Sequence, residues 1–246
     1  MNSKIWMIIL GSTLIALSAV LYLAQIEIFH TPRDTFFYLF QDLAFVPVEV
    51  LVVTLIINRL LSIREKRSML KKMNMVIGAF FSEVGTGLLK FFSDFDLSYE
   101  EIRENLIVTG NWPDKEFINK KKYLKNYEYK IESKKGDLES LKKFLHEKRS
   151  FSLALPENPN LLEHESFTEL LWAVFHLTEE LAFRDEVGRL SDADYEHLSN
   201  DIKRAYALLI SEWLEYMKHL NKDYPYLFSL AVRTNPFDPE ASPEIK

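Results

Sequence analysis

FQDLAFVPVEVLVVTLIINRLLSIREKR, Phe40 to Arg67, is apolar enough to enter a bilayer, yet it carries Asp42, Pro47 and Glu49 and ends in a basic run. The apolar run begins earlier, at Phe36, and reaches Leu61. It contains seventeen Phe, Leu, Ile and Val residues, which together favour insertion by roughly 7 kcal/mol. The two acids would cost about 5 to 7 kcal/mol if both were central, and less because Asp42 lies near the outer end. Insertion is therefore expected, by a narrow margin. Glu49 is the anomaly, because it falls about 20 Å along the helix, near the bilayer midplane.

A second apolar stretch precedes it. Ile5 to Ile28 (IWMIILGSTLIALSAVLYLAQIEI) bears one charge, Glu27, at its end. Its length as a helix, about 36 Å, exceeds the hydrocarbon core of a bilayer. It is too long for the core of a cleaved signal peptide and lacks a small-residue cleavage site. The short connection HTPRDT makes the helices at about 5–28 and 36–61 an antiparallel hairpin, domain 1–63. Counting back from the connection puts Asp42 level with Tyr22 to Gln25, and Glu49 level with Ala16. Ser12, Ala16 and Ala19 would allow a close backbone approach there. Pro47 frees a backbone carbonyl just before Glu49. Glu49 is then either a hydrogen-bonded packing residue or a protonatable group lining a polar path.

The flanks give the orientation. Lys4 precedes the first helix; Arg59, Arg64, Lys66, Arg67, Lys71 and Lys72 follow the second, while the connection has Arg33 beside Glu27 and Asp34. The positive-inside bias makes this an integral two-pass membrane protein with both termini cytoplasmic.

Residues 64–233 read as a cytosolic multi-helix domain, so the chain as a whole is expected to be all-α. Met69 to Phe92 repeats apolar residues at three- and four-residue steps, and Gly78, Gly85 and Gly87 permit close contacts. Ser98–Glu101 and Ser166–Glu169 have the capping-box pattern, and Ser191 opens the last long helix. Gly136-Asp137 ends a lysine-rich helix that begins after Asn111–Asp114, and Leu138 starts another. DYPYLFSLAVR, Asp223 to Arg233, is expected to close the bundle. The proline-rich tail 234–246 is expected to be disordered.

Composition excludes several chemistries. The chain has no cysteine, so disulfides, thiolate metal sites and thiol nucleophiles are absent. No phosphate-binding loop, dinucleotide fingerprint, nucleophile elbow or zincin helix is present, and no catalytic residue is assigned. Net charge is −6, but Lys115 to Arg149 holds 12 Lys and Arg against 6 Asp and Glu. There Lys120, Lys121, Lys122, Lys125 and Lys130 alternate with Tyr123, Tyr127 and Tyr129. Such a segment suits solvent or an anionic lipid surface better than single-stranded nucleic acid.

Histidine and carboxylate on the last two long helices carry the remaining chemistry. If those helices form an antiparallel hairpin turning near Arg189, His176 comes level with Asp201, and Glu180 with His197. Facing helices in bundles assemble nitrogen- and oxygen-ligated metal sites in this way. The competing expectation is a set of His–carboxylate hydrogen bonds that fixes helix register. A possible divalent metal is the sole cofactor the sequence suggests.

The functional expectation is a membrane-anchored helical interaction or regulatory protein of the prokaryotic inner-membrane type. Its partners would be membrane lipid, further copies of itself and an unidentified protein. Two alternatives stay open: an oligomeric ion- or proton-conducting protein with Glu49 and Asp42 on the path, and a metal-dependent helical-bundle enzyme.

Overall fold

The computed structural model describes residues 3–162 and 164–244. The chain divides into two compact units, Met1–Lys66 and Arg67–Lys246. Among the described residues the secondary structure is helical, with one isolated antiparallel bridge between Asp96 and Ile131.

In the first unit, α1 spans Ser3–Phe29. It ends where His30 adopts a left-handed φ of 53° and donates its N–H to Ile26 O. Helix α2 spans Pro32–Phe80, so the unit boundary falls within it. It starts four residues before the expected Phe36, because Pro32 suits a first helical position: its φ is already helical and its missing N–H would be unpaired there. Both helices are long and apolar enough to cross a membrane, and their most apolar windows are wholly unburied. Tyr22 Oη lies 3.4 Å from Asp42 Oδ2, at the level the loop count gave. Ser12, Ala16 and Ala19 remain exposed, so the expected close approach is not made within one chain. Pro47 lies inside α2, and Glu49 forms no hydrogen bond or ion pair with the described residues. The side chains of Lys4 and Arg67, used for the orientation, lie outside the described part.

The second unit is built around its own core. The end of α2 contributes Met73, Ile77 and Phe80, and a π-helical turn, Phe81–Gly85, adds Phe81 and Val84. Thr86 Oγ1 donates to Phe81 O at 2.8 Å across that turn. Helix α3, Thr86–Phe95, buries Leu88, Leu89, Phe92 and Phe95. Gly87 permits the expected close contact: a Cβ there would lie 2.7 Å from the Phe144 ring of α6, Leu138–Ala154.

Shorter elements close the sides. Helix α4 is Tyr99–Glu104 and α5 is Asp114–Lys125. The lysine-rich helix thus stops well short of Gly136. Beyond Asn126 the chain runs along Phe95–Leu97, with Leu97 N donating to Lys130 O and Glu132 N to Phe95 O. Those pairings bury Tyr129, whose ring packs on Tyr206. The Ser98 capping box does not form: Ser98 makes no side-chain cap, and Asp96 Oδ1 accepts the Ser98 N–H instead. A 3₁₀ turn, Leu155–Glu157, and α7, Pro159–Leu162, lead to α8, Glu165–Ala182. Ser166 does not cap α8 either, because the helix is capped two residues earlier, where His164 Nδ1 takes the Phe167 N–H.

Helix α9, Asp192–Asp223, is the central element and α10, Pro225–Arg233, closes on it, with Phe228 buried beside Phe117. Expected disorder after Thr234 is overturned at Asn235 and Phe237. Asn235 Nδ2 donates to Leu106 O at 2.9 Å, and the Phe237 ring stands 5.2 Å from Trp213. Ile245 and Lys246 lie outside the described residues.

One partly buried base gives the unit a pH response. His219 on α9 sits 3.2 Å from Asn74 Nδ2 and 2.9 Å from Asp223 Oδ2. Burial lowers its pKa below 6.5, against the opposing pull of Asp223. A lowered histidine pKa means the unfolded state binds the proton more readily. Stability is therefore full above about pH 6.5 and falls as pH drops toward the folded pKa. The carboxylates whose pKa values are lowered, such as Glu180 and Asp194, lose their contribution only as pH falls below their ordinary values of 4.5 and 3.8, outside this range. Denaturation midpoints measured from pH 7.5 to 5 should decline, and His219→Gln should flatten that decline; an unchanged slope would contradict it.

Candidate metal centre

Helices α8 and α9 form an antiparallel pair because each presents an apolar stripe at helical spacing. Leu170, Val174, Leu177 and Leu181 are buried on α8, and Leu198, Ile202, Ala205 and Leu209 on α9. The link between them is clipped from several sides. Arg184 donates to Glu180 O and Glu180 Oε2, each at 2.6 Å, and to Asp194 Oδ1 at 3.1 Å. Ser191 Oγ caps α9 by accepting from Asp194 N, Lys142 Nζ reaches Arg184 O, and Val187 is buried.

This register brings the four expected residues together. His176 Nε2 is 3.3 Å from Asp201 Oδ2, and His197 Nε2 is 3.4 Å from Glu180 Oε2. The cross pairs are also close: His197 Nε2 to Asp201 Oδ2 is 3.3 Å, and His176 Nε2 to Glu180 Oε1 is 3.9 Å. Ligand atoms of His176, Glu180 and His197 all lie within 4.8 Å of one another. The imidazoles are about half exposed, at 43% and 49%, whereas the Asp201 side chain is only 7% exposed. The site is a shallow cleft with a buried carboxylate as its floor.

Arg184 and Arg204 are the residues sequence reasoning missed. Arg204 Nη2 holds Asp201 Oδ1 at 3.0 Å. The Arg184 hydrogen bond holds the Glu180 carboxyl below its usual range, against burial, with both histidines adding a smaller pull. The signal available was spacing: Arg184 is four residues beyond Glu180 and Arg204 three beyond Asp201, both neighbours on a helix face. Trp172 and Phe183, aromatic residues near His176 in the chain, are exposed.

The other expected site residues stand apart in role. Asp42, Pro47 and Glu49 belong to the first unit. Lys120 is engaged by Asn105 Oδ1 and Lys121 by Glu215, whereas Lys122, Lys125 and Lys130 are exposed. Of the interleaved tyrosines Tyr129 is buried, Tyr127 half-buried and Tyr123 exposed.

The fold thus defines an all-helical protein in which two long apolar helices precede a helical domain with a His–carboxylate cleft. The chain belongs to the MJ1433 family: residues 2–61 match its N-terminal helical domain and residues 69–233 its C-terminal helical domain. A relative described as uncharacterized protein MJ1433, from Methanocaldococcus jannaschii, is 48% identical over 238 residues, covering 97% of this chain and 96% of the relative. No solved structure matches the chain.

Proposed function

We propose that this is a two-pass membrane protein whose hairpin anchors a cytoplasmic helical interaction domain and associates with hairpins of further copies. The observation that carries the reading is the exposure of apolar surface on every side of α1 and the first half of α2. Ile8, Ile15, Leu23, Phe40, Val50 and Leu55 are more than half exposed. Water would not tolerate so contiguous an apolar surface; lipid would cover it. The second unit needs no such cover, because its helices bury a core of their own. Alkaline extraction of membranes tests the anchor. The protein should stay with the lipid pellet, and its release into the supernatant would overturn the reading.

Self-association draws support from Glu49. Among the described residues it has no hydrogen-bond or ion-pair partner, and a polar group near the midplane is costly unless it is hydrogen-bonded. A polar group of another copy supplies that bond. Glu49→Gln should preserve assembly in detergent, because size and hydrogen bonding are kept. Glu49→Leu should weaken it by about 0.6 to 2 kcal/mol, the range for hydrogen bonds between membrane helices. Sedimentation of both variants in one detergent measures this. Equal loss in Gln and Leu would mean that the charge matters and would favour a conducting role; no effect in either would remove Glu49 from the contact.

A further inference from the structure

The geometry points to a binding site for one divalent transition-metal ion formed by His176 and Glu180 of α8 with His197 and Asp201 of α9. The inference goes beyond the membrane-anchor reading and does not depend on it.

Three observations converge. The first is spacing. A tetrahedral ion with bonds of about 2.0 to 2.2 Å holds its ligand atoms roughly 3.3 to 3.6 Å apart. Three of the nitrogen–oxygen separations in the cleft, 3.3, 3.3 and 3.4 Å, fall in that range. Charge-assisted hydrogen bonds between the same groups would close to about 2.7 to 2.9 Å. The second is an orphaned atom. Asp201 Oδ2 is buried, faces both Nε2 atoms, and receives no hydrogen bond. A buried carboxylate oxygen without a donor costs free energy unless something positive binds it. The third is the donor set, since two imidazole nitrogens with carboxylate oxygens select zinc-like ions over magnesium or calcium.

The arginines bear on affinity in both directions. Each occupies an oxygen the metal would use least or share: Arg204 takes Asp201 Oδ1, leaving Oδ2 free, and Arg184 shares Glu180 Oε2. They orient the carboxylates as outer partners of metal ligands do, while their charge opposes a cation. Half-exposed imidazoles leave room for water or a further ligand on the ion. The ion would then join α8 to α9 across the cleft.

Full-length protein, purified in mild detergent with chelator and without a histidine tag, would be dialysed against Zn²⁺ or Co²⁺ and analysed for metal. We expect one equivalent bound, a visible Co²⁺ spectrum of a low-symmetry nitrogen–oxygen site, and a raised melting temperature. The double variant His176→Gln, His197→Gln should lose the bound metal and the spectrum while still melting cooperatively. Glu180→Gln should bind at least about 10-fold more weakly. Excess Mg²⁺ or Ca²⁺ should not displace the ion. Absence of stoichiometric metal in the wild type would overturn the proposal and leave an ion-pair network that fixes helix register. Equal binding by the double variant would overturn it too, showing the metal to be held elsewhere. Should that variant fail to melt cooperatively, a wild-type Co²⁺ spectrum of octahedral water-like form would decide against the site.

Discussion

Phe237→Ala is expected to destabilise the Arg67–Lys246 unit by about 3 to 5 kcal/mol, the cost of removing a fully buried phenylalanine. Its ring has no exposure and meets Trp213 of α9 edge-on at 5.2 Å. Its backbone is held in place too, because Phe237 N donates to Asn235 Oδ1 and Asn235 Nδ2 reaches Leu106 O. The segment therefore ties the C-terminus to α9 and to the stretch after α4. Truncation leaves a cavity beside Trp213 that surrounding helices cannot close. Denaturation of the full-length protein in detergent, followed by tryptophan fluorescence, reads the loss directly. A change within about 0.5 kcal/mol, the scale of surface substitutions, would mean the tail is not packed there.

Leu177→Ala should cost a comparable 2 to 5 kcal/mol, roughly, for a buried leucine that is lost from a close-packed interface. Leu177 has no exposure and lies on the α8 stripe that meets α9. His176 is its immediate neighbour and Glu180 lies about one turn on, so its packing fixes where those side chains emerge. The substitution should lower the denaturation midpoint far more than Trp172→Ala, whose side chain is exposed on the same helix. Equal effects would contradict the assignment of faces.

The same pair of helices shows what a sequence discloses. The α8 and α9 stripes repeat at helical spacing, and the connection between them, centred near Gly188 and Arg189, breaks both patterns. Counting outward from that turn was enough to place His176 opposite Asp201 and Glu180 opposite His197. Local periodicity and chain connectivity fixed this, with no long-range information needed. The apolar length of α1 and α2 was legible for the same reason.

What was not legible depended on competition between local signals or on distant partners. Ser166 has the right neighbours for a cap, yet His164 takes the Phe167 N–H and the helix begins earlier. Tyr127 to Lys130 continues a lysine-rich helical pattern, but backbone pairing with Phe95 and Leu97 draws it into an extended path. Phe237 sits in a polar, proline-rich tail whose composition suggests disorder, and its burial depends on Trp213 and Leu106, far away in the chain. The arginines that hold Glu180 and Asp201 were readable as helix neighbours, though only the finished register shows which carboxylate oxygen each one takes.

Because the chain has no cysteine, introduced cysteines can report which side of a membrane each unit occupies. Arg33→Cys lies exposed in the first turn of α2, next to the connection from α1, and Lys130→Cys on the exposed surface of the second unit. Intact cells treated with a membrane-impermeant maleimide should label Cys at position 33, and should label position 130 only after the membrane is permeabilised. Labelling of position 130 in intact cells, with position 33 protected, would contradict a cytoplasmic helical domain anchored by an N-terminal hairpin.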